Sequence, residues 1–171
     1  MFRELLTQRK AEIVRRWQEL TMRTYPEDAF RFLKKEKDRF ANPVGYAIVT
    51  NLELIFGELC AEMDPEALRR GLDGIVRIRA VQDFNAGQAL CFILLLKDAV
   101  REILKPEELT PPDLVELLRF ETRIDQALLL GFDLYMQDRE KVYDIRANEL
   151  RARSAKLVER LTRSAREPRE D

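Results

Sequence analysis

Histidine is absent from all 171 residues, which removes the commonest general base near neutral pH, the usual zinc ligand and the proximal ligand of a globin haem. Di-iron helical bundles, which combine Glu with His, are excluded by the same omission. Cysteine is nearly absent. Cys60 and Cys91 lie far apart in apolar text, so they make neither a CxxC redox pair nor a metal half-site and read as reduced, buried thiols. With only 6 Gly and 7 Pro, a loop-rich or all-β chain is disfavoured. The longest apolar run, Ala89 to Leu96, is far short of the ~20 residues that a membrane span needs. The charged text after Met1 and Phe2 has no signal-peptide core. There is no Gly-rich phosphate loop and no nucleophile elbow. No pair of carboxylates stands isolated in apolar surroundings, as a general acid and base would. These absences predict a cytoplasmic, non-catalytic protein with no cofactor, no metal and no membrane-integral segment.

What is present is helical text of balanced charge. Apolar residues make up 46% of the chain, enough for one buried core, while 30 basic residues nearly cancel 31 acidic ones. No overall field therefore steers the molecule to nucleic acid or an anionic membrane. Asn42-Pro43, Asp64-Pro65 and Thr110-Pro111 each place a capping side chain before a proline suited to the first helical turn. Asn85 with Gln88, and Thr110 with Asp113, have capping-box spacing. Tyr25-Pro26-Glu27 marks another start. These breaks predict helices near 3–23, 27–40, 43–62, 65–83, 86–104 and 111–166, and no segment alternates as a strand does. The chain is expected to be all-α.

The first predicted helix carries Leu5, Leu6, Ile13, Trp17 and Leu20 on one stripe, as a helix laid on a core does. The fifth, through Ala89 to Leu96, is apolar all round, which predicts a central helix covered on every side. The last changes character partway. From Leu114 to Met136 its apolar face is too broad for one groove, so a homodimer through the last two long helices is expected, with Leu117, Ile124, Leu128 and Tyr135 as interface candidates. After Gln137 the apolar content thins to a coiled-coil-like seam through Ala147, Leu150, Ser154, Leu157 and Leu161. The expected organisation is a helical body over 1–137 and a protruding helical extension over 138–171, the last helix forming a rod of ~80 Å if unbroken. Arg146 to Arg169 contains eight basic and three acidic residues. That local field suits a solvated helix or an acidic partner protein better than nucleic acid, since no interleaved aromatics or helix-turn-helix accompany it.

Two polar groups stand out. The stripe Leu68, Leu72, Ile75 runs into Arg79 and Gln82 on one helical face, with Asp83 four residues beyond Arg79. Two readings stay open: a buried network locking this helix to the next, or a pocket for a small anionic ligand. In Arg39-Phe40-Ala41-Asn42-Pro43-Val44-Gly45, Phe40 reads as an anchor before the cap, Asn42 as the cap, Pro43 as the first turn and Gly45 as a site of close helix approach.

That heptapeptide and Arg77-Ile78-Arg79-Ala80-Val81-Gln82-Asp83-Phe84, with Trp17, the Tyr25-Pro26 step and the apolar run after Gln88, resemble the N-terminal sensory domain of RsbRD. RsbRD is an RsbT co-antagonist of the bacterial stressosome. The resemblance covers roughly residues 10 to 105 and implies a globin-like or related multi-helix bundle that dimerises and lacks haem. It implies a sensory or docking module, such as precedes a phosphorylatable STAS domain or a histidine kinase, and a binding surface to which the Phe40–Pro43 motif contributes. Only one helix follows the sensory region here, so a stand-alone domain without an output domain is expected. Similar stand-alone members accompany membrane redox complexes, which implies an adaptor to a signalling component or to such a complex.

Overall fold

Proline and its capping neighbour open three helices of the computed structural model, which describes residues 2–82 and 84–166, with side chains to 163. Asn42 accepts from Gly45 N (2.8 Å) at the start of α4, Asp64 accepts from Glu66 N (3.0 Å) at the start of α5, and Thr110 accepts from Asp113 N (3.4 Å) before α7. Asn85 and Gln88 form a reciprocal capping box at the start of α6. Each cap supplies an acceptor to backbone N–H groups that the first helical turn leaves without partners.

The elements are α1 (Phe2–Gln8), α2 (Lys10–Met22), α3 (Glu27–Lys35), α4 (Pro43–Cys60), α5 (Pro65–Val81), α6 (Ala86–Leu104), a short 3-10 turn (Pro106–Glu108) and α7 (Pro111–Arg166). No strand occurs among the described residues. The all-α expectation holds, as does the single long last helix. Two predicted helices are shorter or divided. The first is kinked at Arg9, whose N–H still bonds Leu5 O while its own carbonyl accepts from Ile13 N. The bend lets α1 turn Phe2 onto Phe120 of α7 (ring centroids 6.3 Å apart) while α2 lies on α6 and α4. The helix expected over 27–40 stops at Lys35, because Glu36 takes an extended backbone and Asp38 gathers Phe40 N (2.7 Å) and Ala41 N (3.3 Å) into a turn.

Five helices close a ring in which each packs on two neighbours: α2 on α4, α4 on α5, α5 on α7, α7 on α6 and α6 on α2. Their inner stripes supply the core, including Ile13, Trp17, Leu52, Ile55, Phe56, Leu72, Ile75, Phe92, Leu96 and Ile124, all essentially without solvent contact. The indole of Trp17, in the middle of that core, donates to Phe92 O (2.6 Å) and so meets the need of a buried N–H. α1 and α3 cover the ends of the ring. Among the described residues no helix is long and apolar enough to cross a membrane.

Candidate functional site

The α5 stripe Leu68, Leu72, Ile75 and Val76 is buried, and the next position on it is a fully buried Arg79. A buried guanidinium needs partners for its donors. One terminal nitrogen donates to Gln88 O (3.0 Å) at the start of α6; the other donates to Thr21 O (3.3 Å) at the end of α2 and to Thr24 Oγ1 (2.8 Å) just after it. The guanidinium carbon also lies 5.0 Å from the ring centre of Tyr25, 5.4 Å from that of Phe84 and 5.3 Å from that of Phe92. Within the ~6 Å range of cation–π attraction, the charge sits in a cage of three rings. A carbonyl in the last turn of α2 is also the negative end of that helix, which favours a cation there. One side chain thus ties together the ends of α2 and α5 and the start of α6.

α7 reaches the same junction. Tyr135 donates to Phe84 O (2.7 Å), and Arg139 donates to Ala80 O (3.0 Å) in the last turn of α5. Among the described residues Arg79 Nε and Thr21 Oγ1 are buried without a partner. A cleft lined by Thr24, Tyr25, Pro26, Gln82, Phe84 and Gln88 shares four residues with the surroundings of Arg79, which itself has no solvent contact.

Of the polar trio expected here, Arg79 is placed as the stripe required, and Asp83 lies outside the described residues. Gln82 is exposed, and its Oε1 accepts from the Tyr25 hydroxyl at 3.4 Å. The physical reason is that α5 ends at Val81, so Gln82 sits in the following turn and leaves the buried face. Sequence reasoning missed Thr21, Thr24, Phe84 and Phe92 as partners of Arg79. No spacing along the chain joins them, since three separate elements bring them together.

Asn42 is the second buried polar node. Its carbonyl oxygen caps α4, and its amide donates to Leu33 O (3.1 Å) and Glu36 O (3.0 Å), so the same side chain satisfies the end of α3. Pro43 occupies the first turn of α4 as expected. A Cβ on Gly45 would come within 2.2 Å of Asn42 Nδ2, so a glycine is what lets the cap close over the helix. Phe40 does not anchor this motif. It is 81% exposed and carries Arg39 over its ring at 4.6 Å, because the Asp38 turn points it away from the core.

The α6/α7 face corrects two further expectations. Leu117, Ile124 and Tyr135 are buried in the subunit's own core, so they are not available to a partner; their stripe meets α5, α6 and α1. Leu128 is half-buried and lines a groove with Ala86, Gly87, Leu90, Cys91, Leu94, Leu129 and Phe132. α6 is not covered all round either, since Leu94 is 40% exposed. Up to Met136 the large apolar residues of α7 left bare include Leu114, Val115, Leu118, Leu129, Phe132 and Met136, on the side away from Ile124. α6 and α7 approach closely here: a Cβ on Gly131 would meet Ile93 Cδ1 at 2.8 Å.

The two thiols are both half-buried and unbridged, and burial pushes Cys60 up to about 11. Among the described residues no group of three or more His, Cys, Asp or Glu is placed to hold a metal ion. The outward features of this helical domain are therefore surfaces and junctions. Residues 11–150 match the family model described as the RsbT co-antagonist protein rsbRD N-terminal domain, and the chain belongs to that family of stressosome-type sensory domains in signalling. No curated protein and no solved structure matches it.

Proposed function

We propose that this chain is a haem-free, non-catalytic sensory or adaptor domain of bacterial signalling, cytoplasmic and homodimeric, that acts through protein–protein contacts. The body over 1–137 receives the signal, and the extension over 138–171 carries it to a signalling component or a membrane redox complex. The observation that carries this reading is the bare face of α6 and α7, where Leu94, Leu129, Phe132 and Met136 are exposed around an almost wholly apolar groove. A contiguous apolar patch on a soluble domain marks an interaction site. A second copy docked there buries the same patch on both subunits, as a two-fold interface requires. The Arg79 node lies where α5 gives way to α6, and α6 carries half of this face. A shift of that junction therefore reaches the interface.

Light scattering over a wide dilution range tests the reading. A dimer mass is expected for the native chain and a folded monomer for Leu129→Asp/Phe132→Asp; a native chain that is monomeric throughout overturns it.

A second reading is favoured by one observation. Arg79 Nε has no partner among the described residues, and Thr24, Tyr25, Phe84 and Gln88, which surround its guanidinium, also line a cleft with Pro26 and Gln82. A small anionic ligand seated there would use the guanidinium. A native mass spectrum and an absorption spectrum of the protein as purified decide between the two: a retained small molecule favours the ligand, and clean protein favours the contact-only domain.

A further inference from the structure

Beyond Arg139, α7 runs on as a helix with exposed side chains on nearly every face, so its surface chemistry is set by the order of its residues alone. Two rows on it have strict seven-residue spacing. The first is Leu129, Met136, Tyr143, Leu150 and Leu157, every member exposed. The second is Arg139, Arg146, Arg153 and Arg160, which flanks the first on one side, roughly 40 to 60° around the helix at 3.6 residues per turn. On the other side of the apolar row stand Ala147, Ser154 and Leu161. Between residues 146 and 163 there are six basic side chains and two acidic ones.

A seven-residue apolar row is the seam of a helix that packs along another helix, and the residues flanking it choose the partner. A second copy is a poor choice. In a parallel pair Arg146 faces Arg151 of the other chain, and Arg153 faces Val158. In an antiparallel pair the arginine rows face each other. Ala147 and Ser154 also leave the seam thin, with room for larger side chains from the other helix. We infer that the face of α7 from Tyr143 to Leu161 docks an acidic amphipathic helix of a different protein. That helix presents large apolar side chains over Ala147 and Ser154 and carboxylates against Arg146, Arg153 and Arg160. Charge complementarity favours this occupant and repels a copy of the chain. The inference rests on the reading of the domain as one that signals through contacts, and it concerns the part of the row beyond Met136, where α7 has left the α6/α7 face.

The test uses the full chain and a fluorescent synthetic peptide of roughly four heptads, with Leu at the two core positions and Glu at both flanking positions. Fluorescence anisotropy is expected to show saturable binding, weakened at least ~10-fold when ionic strength rises from low to physiological. Arg153→Glu/Arg160→Glu and, separately, Leu150→Asp/Leu157→Asp are each expected to weaken it at least ~10-fold. The helical content and the body dimer should stay intact, which light scattering and circular dichroism report on the same samples. A scrambled peptide of the same composition should bind at least ~10-fold more weakly. The inference is overturned if the Glu peptide does not bind or if the scrambled peptide binds equally well. It also fails if the variants bind as the native chain does, or if Leu150→Cys cross-links quantitatively between copies under oxidation. Because the body dimer is followed independently, loss of that dimer alone counts against the α6/α7 interface and not against this surface.

Discussion

Ile124 and Leu129 stand little more than a turn apart on α7 and are of nearly the same size, yet Ile124 is fully buried and Leu129 is 69% exposed. The inward side of the helix closes the five-helix ring through Leu117, Phe120, Ile124, Ala127 and Leu134. The outward side also carries apolar residues, Leu114, Val115, Leu118, Leu129, Phe132 and Met136, but interleaves them with Arg119, Thr122, Asp125, Gln126 and Asp133. Single leucines and isoleucines occur on both sides, and position against α5 and α6 decides which of them are buried. Hydrophobicity along a helix therefore does not say which of its apolar residues the chain itself covers.

Charged substitutions should separate the two sides most sharply. Ile124→Asp places an unpaired carboxylate in the core and is expected to cost more than ~4 kcal/mol, so that the chain fails to fold. Leu129→Asp should change the unfolding free energy of the isolated subunit by less than ~0.5 kcal/mol while lowering the mass seen by light scattering. Urea unfolding at high dilution, beside scattering at high concentration, measures both. Equal destabilisation by the two substitutions would erase the distinction between the faces.

The same contrast holds for the polar residues of the α5–α6 junction. Arg79→Met removes the donors to Thr21 O, Thr24 Oγ1 and Gln88 O and is expected to cost ~3 kcal/mol by urea denaturation. Gln82→Ala, at an exposed turn, should stay within ~0.5 kcal/mol. A loss below ~1 kcal/mol for Arg79→Met would mean that water replaces these partners and that the junction is not held by this side chain.

The smallest contrast lies in the α3–α4 turn. Asn42→Ala removes the cap of α4 and both bonds to the end of α3, with an expected loss of ~2 kcal/mol. Phe40→Ala should cost less than ~0.5 kcal/mol, because the ring is outside the core. Thermal unfolding of the two variants decides it. A larger loss at Phe40 than at Asn42 would show that the ring is covered in solution, as by a partner.

Much of the helical order was legible because it is written locally. Asn42-Pro43, Asp64-Pro65, Asn85 with Gln88 and Thr110-Pro111 each act within one helical turn, and four helix starts follow from them. The stop of α3 at Lys35 was not legible, since it depends on Asp38 gathering backbone N–H groups and on Asn42 reaching back to Leu33 and Glu36. Of the candidate sites, Arg79 was visible as a charge on an apolar stripe. Its cage of Tyr25, Phe84 and Phe92 was not.

By itself the sequence determined that this protein is all-helical, where most of its helices begin, that a charge stands on the apolar stripe of α5, and that α7 would continue far past the body. These follow from 3.6-residue periodicity and capping chemistry, whose range is a turn or two. Only the tertiary structure decided that Leu117, Ile124 and Tyr135 belong to the core while Leu129 and Phe132 do not. It also decided that Gln82 leaves the buried face, and that the end of α2 and the start of α6 supply the partners of Arg79. Those outcomes depend on how five helices close into a ring, which fixes the side of each helix that is spent on its neighbours and the side that is left over.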